Sequence, residues 1–522
     1  MSAPREIELK LEAPANSLSR LGRSALLKGA VRTSRKPASL VSVYFDTDKL
    51  KLRNKGLSLR VRRIGATHVQ TIKQEGGEPA PAFVRNEWER QISGREPDLK
   101  AMQETALEPL LSKKLRRGLK PVFKTRVQRT VYPVHSDGSE IELTIDRGSV
   151  EAGRQSEPLC EMELELKRGD TAELFRIARA LAQEIPVQLA VKSKAERGYA
   201  LITGEKVAAI KAAPVALRPD VTRKAAFQAI ARSCLHQLVA NRPALQNGDP
   251  EGVHQMRVAL RRLRAAISLF SDILAGPQTD AMKSEFKWLA SELAPARELD
   301  VFINRVLKPL FKYKPKEPGL SMLARDARKR HNDASAQALE AVESARFRTL
   351  VLDAAAWIEA GEWTQRGDEL LRQAREHPIA PAAAEELQRR WKKVLKRGKN
   401  LNSLDPRRRH KLRIQTKKLR YASEFFASVF PGRKLGRRRK RFLSRLEDLQ
   451  DALGDLNDIA VHESLTEQLV SGGADGGERR QRASEAFAAG RLSGREAARI
   501  AAVLADAQHA YAAFAHEKRF WS

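Results

Sequence analysis

Two groups of residues in this chain have the types and spacing to act on a polyanion. The first is a series of charged rows at period two. In "REIELKLE" (5–12), Glu6, Glu8, Lys10 and Glu12 alternate with Ile7, Leu9 and Leu11. Downstream, Arg60 and Arg62 flank Val61, Thr71 and Lys73 flank Ile72, and Arg85, Glu87 and Glu89 share one parity. Lys124, Arg126 and Gln128 form another row, followed by Glu142, Thr144 and Asp146, then Glu161, Glu163 and Glu165, and finally Lys192 and Lys194. Period two puts each row on one face of a strand. A solvated face mixes signs freely, whereas these rows are cationic in some strands and carboxylate in others. An antiparallel sheet curled so that the charged face becomes a lumen would turn them into two patches. Arg and Lys suit phosphate oxygens, and hard carboxylate oxygens suit Mg²⁺ or Mn²⁺, so the ligand expected is a polyanion bridged by divalent metal.

The second group lies on helices. His254, Arg257, Arg261 and Arg264 are spaced 3, 4 and 3 apart and so form one stripe, beside an apolar stripe of Met256, Leu260, Leu263, Ile267 and Phe270. "DPEGVHQMRVALRRLRAAISLF" from Asp249 aligns without a gap on "DPRRRHKLRIQTKKLRYASEFF" from Asp405, which repeats the stripe as His410, Arg413, Lys417 and Arg420. A solvated basic face does not require His at the same register in both copies. Around the second copy, Glu424 is the only carboxylate between Asp405 and Glu447. Cations at that density on rigid helices can neutralise a linear phosphate chain.

The elements that must position these residues differ between the two halves of the chain. Residues 1–204 read as strands, with helical interruptions near 16–30, 98–117 and 171–184. An Ala- and Pro-rich linker follows at 205–222. From 223 to 522 nearly everything has helical period, and the repeat divides it into two bundles, about 223–378 and 384–522, with short loops such as "KPKEPG" and "GGADGG". "LAPARELDV" from Leu293 has a degenerate counterpart in "LGDLNDIAV" from Leu453, with Asn457 for Arg297 and Ala460 for Asp300. The two halves of the repeat are therefore not equivalent.

A formal charge of +32 over 522 residues calls for a polyanionic partner without choosing among nucleic acid, an anionic membrane and a phosphate polymer. No apolar run is long enough for a membrane span. Cys160 and Cys234, the two cysteines, lie far apart and give no metal or redox spacing, which suits a reducing cytoplasm. Aromatic content of 6% argues against a base-stacking nucleic-acid surface. No GxxxxGK[ST] loop is present, so a P-loop is not the phosphate cradle.

"EIELK" fits the Glu-x-Glu-x-Lys signature of the CYTH superfamily, the triphosphate tunnel metalloenzymes. "LRVRR", "TIK", "RNEWE", "FKTR", "LTIDRG", "EMELELK" and "KSKAERGY" follow in that family's order. The first 200 or so residues thus resemble a CYTH domain, and "EMELELK" and "DRG" look most like the bacterial inorganic triphosphatase branch. The resemblance implies an α+β chain with an N-terminal eight-stranded antiparallel β tunnel that binds triphosphate with Mg²⁺ or Mn²⁺. By position it implies Glu6, Glu8, Asp146, Glu161, Glu163 and, next in the row, Glu165 as metal ligands. Lys10, Arg60, Arg62, Lys73, Lys124, Arg126, Lys192 and Lys194 become triphosphate contacts that, with Glu6 and Glu8, form the catalytic set. Arg85, Glu87 and Glu89 stand between substrate contact and a structural ion network. The chemistry implied is metal-assisted hydrolysis without a covalent nucleophile.

The paired "DPxxxHxxR" helices resemble the CHAD domain, an all-α module of two related helical bundles that binds inorganic polyphosphate and commonly follows a CYTH domain. The resemblance implies polyphosphate contacts at His254, Arg257, Arg261, Arg262, Arg264, His410, Arg413, Lys417, Lys418 and Arg420. The function expected is an inorganic triphosphatase that releases diphosphate and phosphate in the cytoplasm, with polyphosphate granules as a candidate location. The alternatives are a polyphosphate-binding scaffold without turnover and another tunnel enzyme, such as a thiamine triphosphatase or a class IV adenylyl cyclase.

Overall fold

A computed structural model of the protein describes residues 5–18, 20–21, 27, 37–74, 84–313, 317–367, 369–471 and 479–521. The side chains of Glu6 and Arg85, most of the helix expected over 16–30 and the loop at 472–477 lie outside the described residues. The chain divides into two compact units: Met1–Ala208 with Leu235–Pro243 and Glu343–Gln365, and Ala209–Cys234 with Ala244–Val342 and Arg366–Ser522.

The first unit is built on strands β1 (Arg5–Glu12), β2 (Ala38–Asp46), β3 (Leu57–Ile64), β4 (Thr67–Gln74), β5 (Val84–Ile92), β6 (Lys120–Ser136), β7 (Ser139–Ala152), β8 (Gln155–Arg168) and β9 (Gln188–Leu189). They form an antiparallel sheet in the order β5-β4-β3-β2-β6-β7-β8-β1-β9. β5 also pairs with β1, Arg5 opposite Asn86, which closes the eight longer strands on themselves. Against the expected eight, the sheet has nine strands, because two residues of β9 add to β1 at Leu11 and Glu12. β6 and β7 join through Asp137 and Gly138, both at positive φ (46° and 71°), the backbone that a two-residue hairpin turn requires.

The outer face of the sheet is apolar and covered. Leu59, Val61, Ile72 and Phe45 pack beneath Met102, Leu107 and Leu115 of the segment between β5 and β6. The helix expected over 98–117 is there only as two 3₁₀ turns, at Lys100–Met102 and Glu108–Leu110, and one short helix, Lys113–Gly118. On the other side, α1 (Thr171–Glu184) packs on β8 and β1, burying Leu174, Phe175, Ile177, Ala178 and Leu181. Burying the outer face forces the charged rows inward, since side chains alternate between the two faces of a strand.

"KSKAERGY", expected as a strand with Lys192 and Lys194 in one row, is instead the start of α2 (Lys194–Thr203). Ser193 and Glu196 form a reciprocal capping box: Glu196 N donates to Ser193 Oγ (3.1 Å), and Ser193 N donates to Glu196 Oε2 (2.7 Å). Two otherwise orphaned amides are satisfied in this way, which fixes the helix start at Lys194. α2 packs on β6, β7 and β8, with Ala195 and Tyr199 against Tyr44, Phe123, Val127, Val150 and Leu159. A Cβ on Gly198 would meet the Phe123 ring at 2.2 Å, so only glycine allows this approach.

The second unit is helical. Its repeated helices are α3 (Pro250–Leu269) and α6 (Pro406–Phe425), and between them in sequence lie α4 (Ala294–Phe302) and α5 (Ile379–Gly398). α7 (Arg433–Ser471) and α8 (Arg479–Ala515) follow. The repeated Asp-Pro is a helix start in both copies: Asp249 accepts from Glu251 N (2.9 Å) and Asp405 from Arg408 N (2.8 Å), each with Pro at the first helical position. α3 and α6 pack together, and their terminal phenylalanines meet, Phe270 and Phe426 having ring centroids 6.1 Å apart. No described helix is long and apolar enough to cross a membrane.

Candidate active site and polyanion surface

The inward rows enclose a cavity of about 540 Å³ in the first unit. Strand register sets its layers. Glu8 lies opposite Glu165 and Glu165 opposite Glu142; Lys10, Glu163 and Thr144 form the next layer; Glu12, Glu161 and Asp146 form the third. On the facing wall, Arg60 pairs with Thr71 and Thr71 with Glu89, while Ser58 pairs with Lys73 and Lys73 with Glu87.

The deepest group is carboxylate. Ligand oxygens of Asp146, Glu161 and Glu163 lie within 4.8 Å of one another. Lys194 Nζ sits among them, 2.9 Å from Asp146 Oδ2, 3.0 Å from Glu163 Oε1 and hydrogen-bonded to Glu161 Oε1. Arg129 holds Asp146 with two bonds (2.7 and 2.6 Å) and also reaches Glu163 Oε2 at 2.8 Å. Lys10 adds contacts to Glu163 (3.0 Å) and Glu8 (3.3 Å). Burial opposes ionisation of Glu163, but Lys10, Lys194 and Arg129 outweigh it and hold the carboxyl well below its usual range. Burial likewise opposes ionisation of Asp146, and Lys194 and Arg129 again prevail. At Glu161 burial wins and the pKa rises, with Lys194 only partly offsetting it. Glu161 Oε2 is buried with no hydrogen-bond partner. Three hard oxygen donors, one with an unused buried acceptor, are a chemical fit for Mg²⁺ or Mn²⁺.

The cations nearer the opening are less evenly matched. Arg60 reaches Glu87 (3.3 Å) and Glu89 (3.5 Å), Lys73 reaches Glu87 (2.5 Å), and Thr71 donates to Glu89 (2.8 Å). Glu87 and Glu89 thus line the cavity and pair with its cations. Arg62 hydrogen-bonds the Ser42 hydroxyl at 3.3 Å and forms no ion pair among the described residues. Burial, then repulsion from Arg60 and Arg129, brings its pKa down to about 10. Such a cation gains most from an incoming anion.

Several expected residues lie elsewhere. Lys124 and Arg126 do not line the cavity; both turn outward to Glu151, at 3.1 and 3.3 Å. The inward parity of β6 is Phe123, Thr125, Val127 and Arg129, because apolar residues on that face pack beneath α2. Lys192 is exposed, on the short segment before α2. Glu165 lines the cavity outside the three-carboxylate cluster and pairs with Lys167 (2.6 Å). Arg129 and Lys167 are lining residues that period-two reading missed. For Arg129 the signal was its place in register with Asp146. Glu12 pairs with Arg197 of α2, which also holds Glu157 at 2.7 Å.

In the second unit the two basic stripes converge. Arg257 lies 3.9 Å from Glu298, and at the equivalent place in the other copy Arg413 lies 3.9 Å from Asp458. Arg261 contacts the Tyr421 hydroxyl (3.4 Å) and is close enough to repel both Arg413 and Lys417. Burial, followed by Arg413 and Arg261, brings the Lys417 pKa down to about 7. His254 is pushed to about 4 by burial, then by Arg297, with Arg261 and Arg257 adding to it. Its counterpart His410 is exposed, with Nδ1 2.8 Å from Asn457 Oδ1, the residue that stands where the first copy has Arg297. Arg420 is shared between Glu424 (3.4 Å) and Glu447 (3.7 Å). Arg264 and Lys418 belong to a second basic cluster with Arg390 and Lys393. Arg262 is 3% exposed and lies over the Phe425 ring at 5.3 Å, an interior position that the expected surface role did not allow for.

Comparison with known proteins agrees with this division. The sequence matches the CYTH domain over residues 4–199 and the CHAD domain over residues 229–467. It is 30% identical to the inorganic triphosphatase of Haemophilus influenzae over 162 residues, 31% of this chain and 46% of that protein. The chain thus spans about half the length of that curated relative. The crystal structure of the CHAD domain from Ricinus communis is 28% identical, with a TM-score of 0.51, covering 60% of this chain and 98% of that one. A putative adenylyl cyclase from Hippeastrum with a dominant triphosphatase activity matches at 19% identity and a TM-score of 0.28, covering 38% of this chain and 96% of that one, too remote a likeness to carry weight. Tunnel, paired helical repeat and sequence matches together make this chain a CYTH domain fused to a CHAD domain.

Proposed function

We propose that the first unit is a metal-dependent inorganic triphosphatase, converting triphosphate to diphosphate and phosphate, and that the helical unit binds inorganic polyphosphate. The observation that carries this proposal is a cluster of three carboxylates, Asp146, Glu161 and Glu163, that reaches the cavity through Glu163 and through Lys194, which contacts all three, where Arg60, Arg62, Lys73 and Arg129 also line the wall. A site built only to hold polyanion has no use for buried carboxylates, which repel it. The resemblance to the Haemophilus influenzae inorganic triphosphatase supports the choice of substrate.

Asp146, Glu161 and Glu163 would hold Mg²⁺ or Mn²⁺, which when bound supplies positive charge against the phosphoryl oxygens. Arg62, Arg60 and Lys73 bind and orient the chain from the opposite wall, where their charge stabilises the anionic transition state. Water attacks the terminal phosphorus, the bridging P–O bond breaks, and its electron pair leaves with diphosphate. The water's proton passes to a carboxylate beside the reacting phosphorus. Glu8 and Lys10 hold the near wall.

For the helical unit, the convergence of Arg257, Arg261, Arg413 and Lys417 supports a phosphate-chain surface, which would tether the enzyme to polyphosphate, granules in the cytoplasm included. The test is phosphate release from triphosphate, ATP, thiamine triphosphate and long-chain polyphosphate, each with Mg²⁺, Mn²⁺ or chelator. Metal-dependent release chiefly from triphosphate is expected. Release chiefly from thiamine triphosphate, or none from any of the four, would overturn the assignment.

A further inference from the structure

We propose that Lys194 is a resident counter-ion of the carboxylate cluster that competes with divalent metal, so that metal binds tightly only when triphosphate draws the ammonium away. This inference rests on the triphosphatase assignment for its biological sense, but its physical basis is the geometry of one side chain. Lys194 Nζ contacts all three carboxylates of the cluster. With Arg129 and with Lys10, which is shared with Glu8, it brings three cations to the three carboxylates, so most of the cluster's charge is compensated before any metal arrives. A divalent ion entering that arrangement meets an ammonium among its own ligands and gains little.

The backbone of Lys194 is fixed and its side chain is not. The Ser193–Glu196 capping box sets the first turn of α2, Arg197 ties the helix to Glu12 and Glu157, and the Tyr199 hydroxyl donates to Asp46 at 3.0 Å. Lys194 also lines the open cavity, so its ammonium can leave the carboxylates for a phosphate oxygen without any movement of the helix. Once it has turned, Asp146, Glu161 and Glu163 are left with a deficit of positive charge, and Glu161 Oε2, buried without a partner, is already available. Metal and triphosphate then favour each other's binding, a reciprocal coupling that linkage requires.

The test is Mn²⁺ affinity of the full chain without any phosphate present, read from the electron paramagnetic resonance signal of free Mn²⁺. Lys194→Met is expected to bind Mn²⁺ at least tenfold more tightly than the wild type, and adding Glu161→Gln to Lys194→Met is expected to abolish the gain. Arg197→Gln, which loosens the helix that carries Lys194, provides a second variant should the first not fold, and is expected to shift affinity in the same direction. Unchanged or weaker Mn²⁺ binding in Lys194→Met, or in Arg197→Gln where only that variant retains the wild-type circular dichroism spectrum, overturns the proposal. Because the assay contains no phosphate and reads no turnover, tighter binding by a chain that hydrolyses nothing would keep the counter-ion proposal and discard the triphosphatase one. The reverse outcome would do the opposite.

Discussion

Arg129 grips Asp146 with two parallel hydrogen bonds, Nε to Oδ1 at 2.7 Å and a terminal nitrogen to Oδ2 at 2.6 Å, from directly across the β6–β7 ladder. The carboxylate is 1% exposed, so the pair is buried and shaped for a planar fork. Removing one member leaves the other charged and unpaired. Arg129→Ala is expected to destabilise the first unit by about 3 kcal/mol or more, the usual cost of breaking a buried pair. Arg129→Lys should recover only part of the loss, because an ammonium cannot make both bonds. Thermal unfolding of the full chain, followed by the near-ultraviolet signal of the tunnel, checks this; a midpoint unchanged in Arg129→Ala would contradict it.

Acid should weaken the tunnel through the same group. Glu163 and Asp146 have folded-state pKa values below their ordinary ones, so they contribute stability that is present above the unfolded values, 4.5 and 3.8, and lost as pH falls through the folded ones. Glu161, raised by burial, has the opposite sign and takes up its proton first as pH falls. The midpoint of Glu163→Gln should therefore lie below that of the wild type at pH 7, and the two should converge as pH falls below about 4. Parallel curves down to the lowest pH would show that Glu163 gains nothing from its cations.

Polyphosphate binding should take up a proton. Lys417, with a pKa near 7, faces Arg413, Arg261, Arg420 and Asp458, and an anion laid across them raises its pKa. Binding then favours the protonated form, so affinity falls as pH rises above 7. Calorimetry at pH 8 in buffers of different ionisation heat is expected to report uptake approaching one proton, and Lys417→Met to remove most of it. Buffer-independent heats would contradict this.

The matched distances of Arg257 to Glu298 and Arg413 to Asp458 make the two copies equivalent at that point and different at the histidines. Arg257→Ala and Arg413→Ala should each weaken polyphosphate binding about five- to tenfold and lower its salt dependence. Arg262→Ala should instead lower stability and leave the affinity of the folded protein nearly unchanged, because Arg262 lies inside the bundle. Equal losses of affinity from all three would remove the distinction between surface and interior arginines.

The charged rows announced the tunnel because alternation is the property that a closed sheet imposes on its residues, and Glu161, Glu163, Asp146 and Arg60 all face where their parity puts them. The same rule misplaced Lys124 and Arg126. It takes the apolar face of a strand as outward, and in β6 Phe123 and Val127 are apolar and point inward, beneath α2. Lys194 reaches the carboxylates by a route that the alternation does not contain: the pattern reads "KSK" as strand, while Ser193 and Glu196 spell a capping box that starts a helix there. The distance from Lys194 to the carboxylates is not local in sequence and depends on where α2 packs, whereas the Arg129 fork follows from the β6–β7 hairpin, whose Asp137–Gly138 turn sets Arg129 opposite Asp146. In the helical half the repeat disclosed both stripes, but helical spacing alone did not tell Arg261 from its buried neighbour Arg262.

The most direct measurement is the rate of phosphate release from triphosphate by the full chain with saturating Mn²⁺ or Mg²⁺, for the wild type, Glu161→Gln and Glu163→Gln. The expected result is release that disappears with chelator and falls at least a hundredfold in each variant, about 2.7 kcal/mol of transition-state stabilisation. Metal-dependent release undiminished in both variants would contradict a role for the Asp146, Glu161 and Glu163 cluster in catalysis.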